Sequence, residues 1–308
     1  YDNGSKPLTS IVSYPERGEG GNNQYRGNCS PKLIEDLIGF FRPAEICDYM
    51  CGSGTTRSAA GKMGIQSRIY DLHSGFDLMS CEIPERPEFI FWHPPYWNLI
   101  TYSDVMYRAA DVEKRYGYDP KQADLSRIEN WDNFVTAMNY AMMKQYTALE
   151  NGGRMAVLVG DVKKKGRLYS MISEIVKPGI LENIIIKVQH NCFSDQIRYS
   201  GKFIPILHEY VMIVRKDSPV LIPGLFVKKV EADIRDMPGA TWRDVVAAVL
   251  ELCTEPVSLT FLYDKIGSYK KAQANKWWKE KIRQTLQVNP AHFVHNGRGM
   301  WSLNRGMA

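Results

Sequence analysis

From residue 32 the apolar positions fall first at helical spacing, in Lys32-Leu-Ile-Glu-Asp-Leu-Ile-Gly-Phe-Phe41, and then in a short run, Ala44-Glu-Ile-Cys-Asp48. The first spacing predicts a helix and the second a strand. The alternation continues with a helix over 56–64, strands over 66–71 and 88–92, a long helix over about 130–150 and a strand over 154–159. Strands alternating with helices imply an α/β fold, a largely parallel sheet covered on both faces, whose ligands bind at the carboxyl ends of the strands. Two later apolar runs, 183–188 and 208–214, are separated by a polar segment and are expected to pair as an antiparallel edge.

Pro219, Pro223-Gly224 and Pro238-Gly239 then punctuate the chain, which places a body at 1–220, a linker at 221–239 and a small domain at 240–308. In that tail Thr241 with Asp244 starts an apolar helix, and Ser258 and Ser268 are candidate caps for two more. Phe293 to Leu303 has a hairpin pattern around Asn296-Gly297. Three helices followed by a hairpin is the layout of a winged helix. Residues 270–287 read as its recognition helix, carrying Lys276, Lys279, Lys281 and Arg283, with Trp278, Ile282 and Leu286 as core and Arg298 on the wing.

Charge sharpens this division. The chain of 308 residues has a net charge of +5, and residues 240–308 hold ten Lys/Arg against five Asp/Glu, an excess equal to the whole surplus. A basic tail on a neutral body points to a polyanion, although a solvated lysine-rich surface has the same composition. With 44% hydrophobic and 24% charged residues the composition is that of a globular protein. No apolar stretch approaches the ~20 residues of a bilayer span, so neither membrane insertion nor export is expected. Six cysteines without a C-x-x-C pair exclude the usual zinc and disulfide patterns and fit reduced thiols in the cytoplasm.

Three short segments carry candidate chemistry. Asp48-Tyr-Met-Cys-Gly-Ser-Gly-Thr-Thr56 sets a Gly-x-Gly turn between a strand and a helix, where backbone approaches a ligand closely and free N–H groups face it. Taken alone it is equally a tight βα turn. Tyr70-Asp-Leu72 ends the next strand, where a carboxylate can accept hydrogen bonds from both hydroxyls of a ribose, and Asp77 follows on the same rim. Phe91-Trp-His-Pro-Pro-Tyr-Trp97 follows a third strand. Consecutive prolines stiffen the backbone, leave carbonyls unpaired and stand an aromatic face beside them, which suits a planar amine or simply a structural turn.

Taken in order, Asp48…Cys51-Gly-Ser-Gly-Thr-Thr56, Asp71 and His93-Pro-Pro-Tyr96 resemble the S-adenosylmethionine-dependent DNA amino-methyltransferases, which modify adenine N6 or cytosine N4. The resemblance extends over roughly residues 10–216. His208-Glu-Tyr-Val-Met-Ile-Val-Arg-Lys216 looks like the strand beside the target-base pocket, and Tyr25-Arg-Gly-Asn-Cys-Ser30 like the segment that closes over the methionine end of the cofactor. Cofactor loop before catalytic turn is similar to the gamma arrangement of that family. Tyr49-Met50 stands where the family commonly has Pro-Phe, and His93 where it has Asp, Asn or Ser.

The resemblance implies a Rossmann-like class I methyltransferase sheet and S-adenosylmethionine as cofactor. It implies that Asn28 and Ser30 meet the cofactor from the closing segment, and Asp48, Cys51, Gly52, Gly54 and Thr55 from the loop. Asp71 with Leu72 would hold the ribose and Asp77 the adenine amino group. His93, Pro94, Pro95 and Tyr96 would form the catalytic turn, with His93 and the Pro94 carbonyl orienting the amine and Tyr96 stacking on a base flipped out of the duplex. A neutral imidazole can accept the amine's hydrogen and an imidazolium cannot. Double-stranded DNA is the implied partner, met by Lys163, Lys164 and Lys165 after the fourth strand and by Lys276, Lys279, Arg283 and Arg298 in the tail. Adenine N6 is the main expectation. Cytosine N4, an RNA amine and a binding-only regulator of the same fold stay open, and no pattern sets an oligomeric state.

Overall fold

The computed structural model describes residues 8–22, 24–190, 203–227, 233–237 and 239–304. The chain divides into two compact units, with the division after Val227.

In the first unit the order is β1 (Ile11–Ser13), α1 (Pro31–Phe41), β2 (Glu45–Asp48), α2 (Thr55–Met63), β3 (Gln66–Ile69), β4 (Phe89–Trp92), α3 (Ala109–Tyr116), α4 (Trp131–Ala148), β5 (Arg154–Val159), β6 (Ile180–Val188) and β7 (His208–Arg215). These strands form one seven-stranded sheet in the order β1-β6-β7-β5-β4-β2-β3. Every neighbouring pair is parallel except those of β7, which runs antiparallel to both β5 and β6. The expected antiparallel pairing of the two late strands is present, but they are no edge. β1 adds outside β6, and its three residues are too few to have shown a period in the sequence.

Side chains alternate across the sheet, as the two-residue strand period requires. Phe89, Phe91, Ala156, Leu158, Val211 and Ile213 pack under α1 and α2, together with Leu33, Ile34, Leu37, Ala59 and Ala60. Ile90, Trp92, Met155, Val157, Met212 and Val214 pack against α4 through Trp131, Phe134, Met138 and Met142. Both faces are therefore covered, which is why β4 reads as an uninterrupted apolar run. α1 starts with Pro31 in its first turn, where no backbone donor is needed, and α2 stops at Gly64 in the left-handed conformation (φ 71°).

The second unit has α5 (Trp242–Glu251), α6 (Leu259–Ile266), a single turn at Lys270–Gln273 and α7 (Trp278–Val288). Strands Val257–Ser258 and Phe293–His295 flank Met300–Leu303 in a three-stranded sheet. Thr241 and Asp244 form the reciprocal cap of α5, and the Ser258 hydroxyl accepts from Phe261 N in α6. Val246, Leu250, Leu262, Ile282 and Leu286 make its core. Two expectations fail. Ser268 caps nothing, because the short turn starts after Tyr269 without a side-chain bond. The helix expected over 270–287 is broken, because the Asn275 carboxamide accepts Trp277 N at 2.9 Å and draws the backbone into a turn. Lys276 therefore lies in the break, while Lys279, Lys281 and Arg283 ride on α7. Among the described residues no helix is long and apolar enough to cross a membrane.

Candidate active site

The ends of β2, β3, β4 and β6 and the beginning of β7 converge on one edge of the sheet. After β2 the buried Asp48 carboxylate accepts Met50 N at 3.1 Å and the Thr56 hydroxyl, tying the turn to the first residues of α2. Burial pushes its carboxyl up to about 7, against the pull of these two bonds. Gly52 has φ 49°, and a Cβ there would lie 2.9 Å from the Tyr25 ring. Its N–H donates to Asp71 Oδ2 at 2.9 Å. Gly54 takes φ 79° as the N-cap of α2, and no side chain caps the helix. The loop thus requires glycine twice, once for conformation with close approach and once for conformation alone.

Asp71 is 8% exposed, and its other oxygen accepts from His73 N at 3.2 Å and His73 Nδ1 at 2.7 Å. The bond to Asp71 raises the His73 imidazole above its ordinary value. Residues 17–22 and 24–30 close over the loop. Asn28 Nδ2 donates to Ser53 Oγ at 2.9 Å, its Oδ1 accepts from the Thr55 hydroxyl, and Tyr25 stacks on Tyr102 with ring centres 5.9 Å apart.

Beneath them lies a cleft open to solvent, lined by Asn28, Asp48, Cys51, Gly52, Thr55, Asp71, Leu72, Asp77, His93 and Pro95 among others. Ten of the expected site residues are thus brought together. The buried Tyr107 hydroxyl on its wall has no hydrogen-bond partner among the described residues. A second cleft, of about 410 Å³, shares Gly27, Asn28, His93 and Tyr102 with the first and adds Pro94, Tyr96, Lys187 and Glu209. His93 stands between the two.

Other expected residues fall elsewhere. Gly54 shapes the loop without lining the cleft, and the Ser30 hydroxyl donates to Arg17 O at 2.7 Å. Lys163, Lys164 and Lys165 lie on a ribbon formed by Val162–Lys164 and Arg167–Tyr169. There Lys164 Nζ sits 4.5 Å from the Trp97 ring. Lys276, Lys279, Arg283 and Arg298 belong to the second unit.

The turn after β4 is held from behind. Trp97 takes a left-handed φ of 51°, a conformation costing about 1–3 kcal/mol that survives only where packing over-determines it. Here Trp97 Nε1 donates to Ile128 O at 2.9 Å and the ring packs on Trp131 and Tyr169. The Tyr96 ring lies on Gly160, directly after β5, and its hydroxyl donates to Glu209 Oε1 at 2.7 Å. Glu209 Oε2 in turn accepts from Lys187 Nζ at 2.6 Å. Burial works to raise the Glu209 carboxyl, but the Lys187 ammonium, with His93 and Tyr96, holds it below its ordinary value. Burial lowers His93 to about 4 despite the Glu209 charge. The Cys51 thiol is pushed up by burial and by Asp48 and Asp71, so it is no nucleophile.

Sequence reasoning missed Lys187, Glu209, Tyr25 and Tyr107. For the first two a signal existed: each is a charge in a largely apolar strand, and such charges are paired when buried. Their pairing depends on the β6–β7 register, which sets Glu209 opposite Lys187.

No protein-family model matches the chain, and no curated protein matches it in sequence. Among solved structures it is similar to a candidate DNA modification methylase from Thermus thermophilus in complex with S-adenosyl-L-methionine, at 18% identity over 50% of this chain and 52% of that one, TM-score 0.27. TrmN from the same organism is 14% identical over 62% of this chain and 50% of its own, TM-score 0.31. A candidate class I S-adenosylmethionine-dependent methyltransferase from Listeria monocytogenes is 15% identical over 65% and 61%, TM-score 0.33. The matched stretch is thus about half to three fifths of those proteins, and likenesses of this level leave the site to its own geometry.

That geometry makes Gly160 a sensitive position, since an added Cβ would lie 2.5 Å from Tyr96 Cε2. Gly160→Ala is expected to displace the Tyr96 ring and to cost about 1–3 kcal/mol in urea unfolding.

Proposed function

We propose that the chain is an S-adenosylmethionine-dependent methyltransferase acting on the exocyclic N6 of adenine in DNA. The observation that carries this reading is the place of His93, a half-buried imidazole that lines both clefts, one of them rimmed by Asp71 and Asp77 and floored by a glycine loop, where desolvation favours its neutral form.

The first cleft fits the donor. Gly52 leaves room that a side chain would fill, and the Tyr107 hydroxyl on the cleft wall lacks a partner among the described residues. Asp71, with its oxygens already fixed by Gly52 N and His73, would meet the ribose hydroxyls, and Asp77 the adenine amino group. Asn28 and Tyr25 would close over the methionine end. S-adenosylmethionine, when bound, supplies a methyl group on a sulfonium and hence an electrophile.

The second cleft would take the base, which must leave the duplex to enter it. His93 and the Pro94 carbonyl accept hydrogens from the amine and turn its lone pair toward the first cleft, while the open part of Tyr96 supports the ring. Their contribution is positioning rather than covalent chemistry. The second unit would bind duplex DNA as a winged helix, with Lys279 and Arg283 on α7, Lys276 before it and Arg298 in the wing. The ribbon lysines Lys163, Lys164 and Lys165 would meet phosphates beside the base cleft.

Incubation with isotope-labelled donor and mixed-sequence DNA, followed by nucleoside mass spectrometry, tests the reading. Labelled N6-methyl-2′-deoxyadenosine is expected; labelled N4-methyl-2′-deoxycytidine would move the target, and no label in either would exclude DNA as substrate and leave an RNA amine or a binding-only module. The pH profile tests His93. Because the neutral form accepts and burial lowers the group to about 4, the single-turnover rate should stay level through the ordinary histidine range and fall only as pH approaches 4. His93→Asn should retain turnover without that acid limb, and a fully active His93→Phe would exclude the side chain as acceptor.

Asp71→Ala should weaken donor binding by about 10–100-fold in calorimetry, the scale of charge-assisted hydrogen bonds, whereas Tyr96→Ala should keep donor affinity and lose turnover. In the second unit, replacing Lys276, Lys279 and Arg283 by Gln should reduce the slope of log affinity against log salt by about 0.9 for each phosphate no longer neutralised. An unchanged slope would make that unit a docking module.

A further inference from the structure

The reading of His93 as an acceptor leaves one matter undetermined by its neutrality. A neutral imidazole has one bare nitrogen, and which one it is depends on what the other nitrogen bonds to. The surroundings of His93 decide it through a chain of three contacts that crosses three elements. Lys187 on β6 donates to Glu209 Oε2 at 2.6 Å, Tyr96 in the turn after β4 lies 2.7 Å from Glu209 Oε1, and His93 Nε2 lies 3.0 Å from the Tyr96 hydroxyl. Lys187 and Glu209 are 9% and 7% exposed, so water does not compete freely for these bonds.

The hydrogen count follows from one end. An ammonium has only donors, so Glu209 beside it is a carboxylate and has only acceptors. The single hydroxyl hydrogen of Tyr96 therefore points to Glu209. Toward His93 the same oxygen has only lone pairs left, so Nε2 must bring the hydrogen. The opposite tautomer would set two lone pairs face to face at 3.0 Å. Nδ1 has no hydrogen-bond partner among the described residues, and His93 lines both clefts.

We propose that the buried Lys187–Glu209 pair acts through the Tyr96 hydroxyl to hold His93 as its Nε2–H tautomer, leaving the Nδ1 lone pair to accept a hydrogen from the substrate amine. The proposal rests on the amine-methylation reading for the use of Nδ1, but the tautomer itself depends on the four side chains alone. Lys187 and Glu209 are then positioning residues, and Tyr96 has two tasks, presenting its ring to the base cleft and relaying the carboxylate's preference to His93. The arrangement does what an Asp, Asn or Ser acceptor needs no help to do. A carboxylate or amide oxygen has lone pairs whatever its neighbours, whereas an imidazole offers one only if its proton is parked on the other side.

The test is two-bond 1H–15N correlation spectroscopy of the full chain with 15N-labelled histidine, the His93 signals being identified by their loss in His93→Asn. Wild type is expected to show neutral His93 with the proton on Nε2, unchanged between about pH 5 and 8, since burial keeps the ring unprotonated to about 4. Tyr96→Phe removes one oxygen and should shift the tautomer ratio toward Nδ1–H by about tenfold or more, the scale of a lost buried partner. Lys187→Met should let Glu209 keep its proton to higher pH and so introduce a pH dependence of the tautomer that wild type lacks. A merely structural pair would change stability and leave the ratio alone. An Nδ1–H signal in wild type, or a ratio unmoved by both substitutions, overturns the relay. An Nε2–H signal that responds as expected, in a protein that methylates no DNA base, overturns the substrate reading and supports the relay.

Discussion

The candidate site depends on one topological fact, the insertion of β7 antiparallel between β5 and β6. In a wholly parallel sheet the edge that carries the ligand loops receives only strand carboxyl ends. Because β7 runs the other way, its first residues arrive at that edge, and Glu209 meets Lys187 from the end of β6 and Tyr96 from the turn after β4. A one-residue slip of β7 would send Glu209 to the opposite face and leave a buried ammonium unpaired, so the apolar pattern of the strand and the charge pair specify the same register.

Two kinds of polar order meet there. In the first cleft, backbone N–H groups and acidic side chains are fixed by one another: Asp48 gathers Met50 N and the Thr56 hydroxyl, and Asp71 gathers Gly52 N and His73. In the second cleft the order is a linear chain that starts at the Lys187 ammonium and ends at the His93 imidazole. In both, burial makes each bond strong and any unpaired group costly, so the polar groups are settled before a ligand arrives. His93 belongs to both sides, which is why its protonation and tautomer matter more than those of His73, tied down beside Asp71.

The turn between β4 and the rest of the body is kept in shape by packing. Its prolines limit the backbone, yet Trp97 still adopts a left-handed conformation, and the ring is fixed by Ile128 O, Trp131 and Tyr169. Gly160 provides the flat backbone on which Tyr96 lies. The turn that carries His93 is therefore supported by α4, by the ribbon strand Arg167–Tyr169 and by the end of β5.

Local patterns in the sequence determined the α/β class, most element bounds, the glycine loop, the acidic rim and the Pro-Pro turn, because each depends on neighbours a few residues apart: apolar period, glycine placement, missing proline donors. Tertiary structure alone decided the place of β1, the position of β7 between β5 and β6, and the meeting of Lys187, Glu209, Tyr96 and His93. Those depend on strand order and register across more than a hundred residues of chain, as the contact between Tyr96 and Glu209 does. A hydrogen bond at that separation leaves no period for a sequence to display, and only the folded sheet brings its ends together.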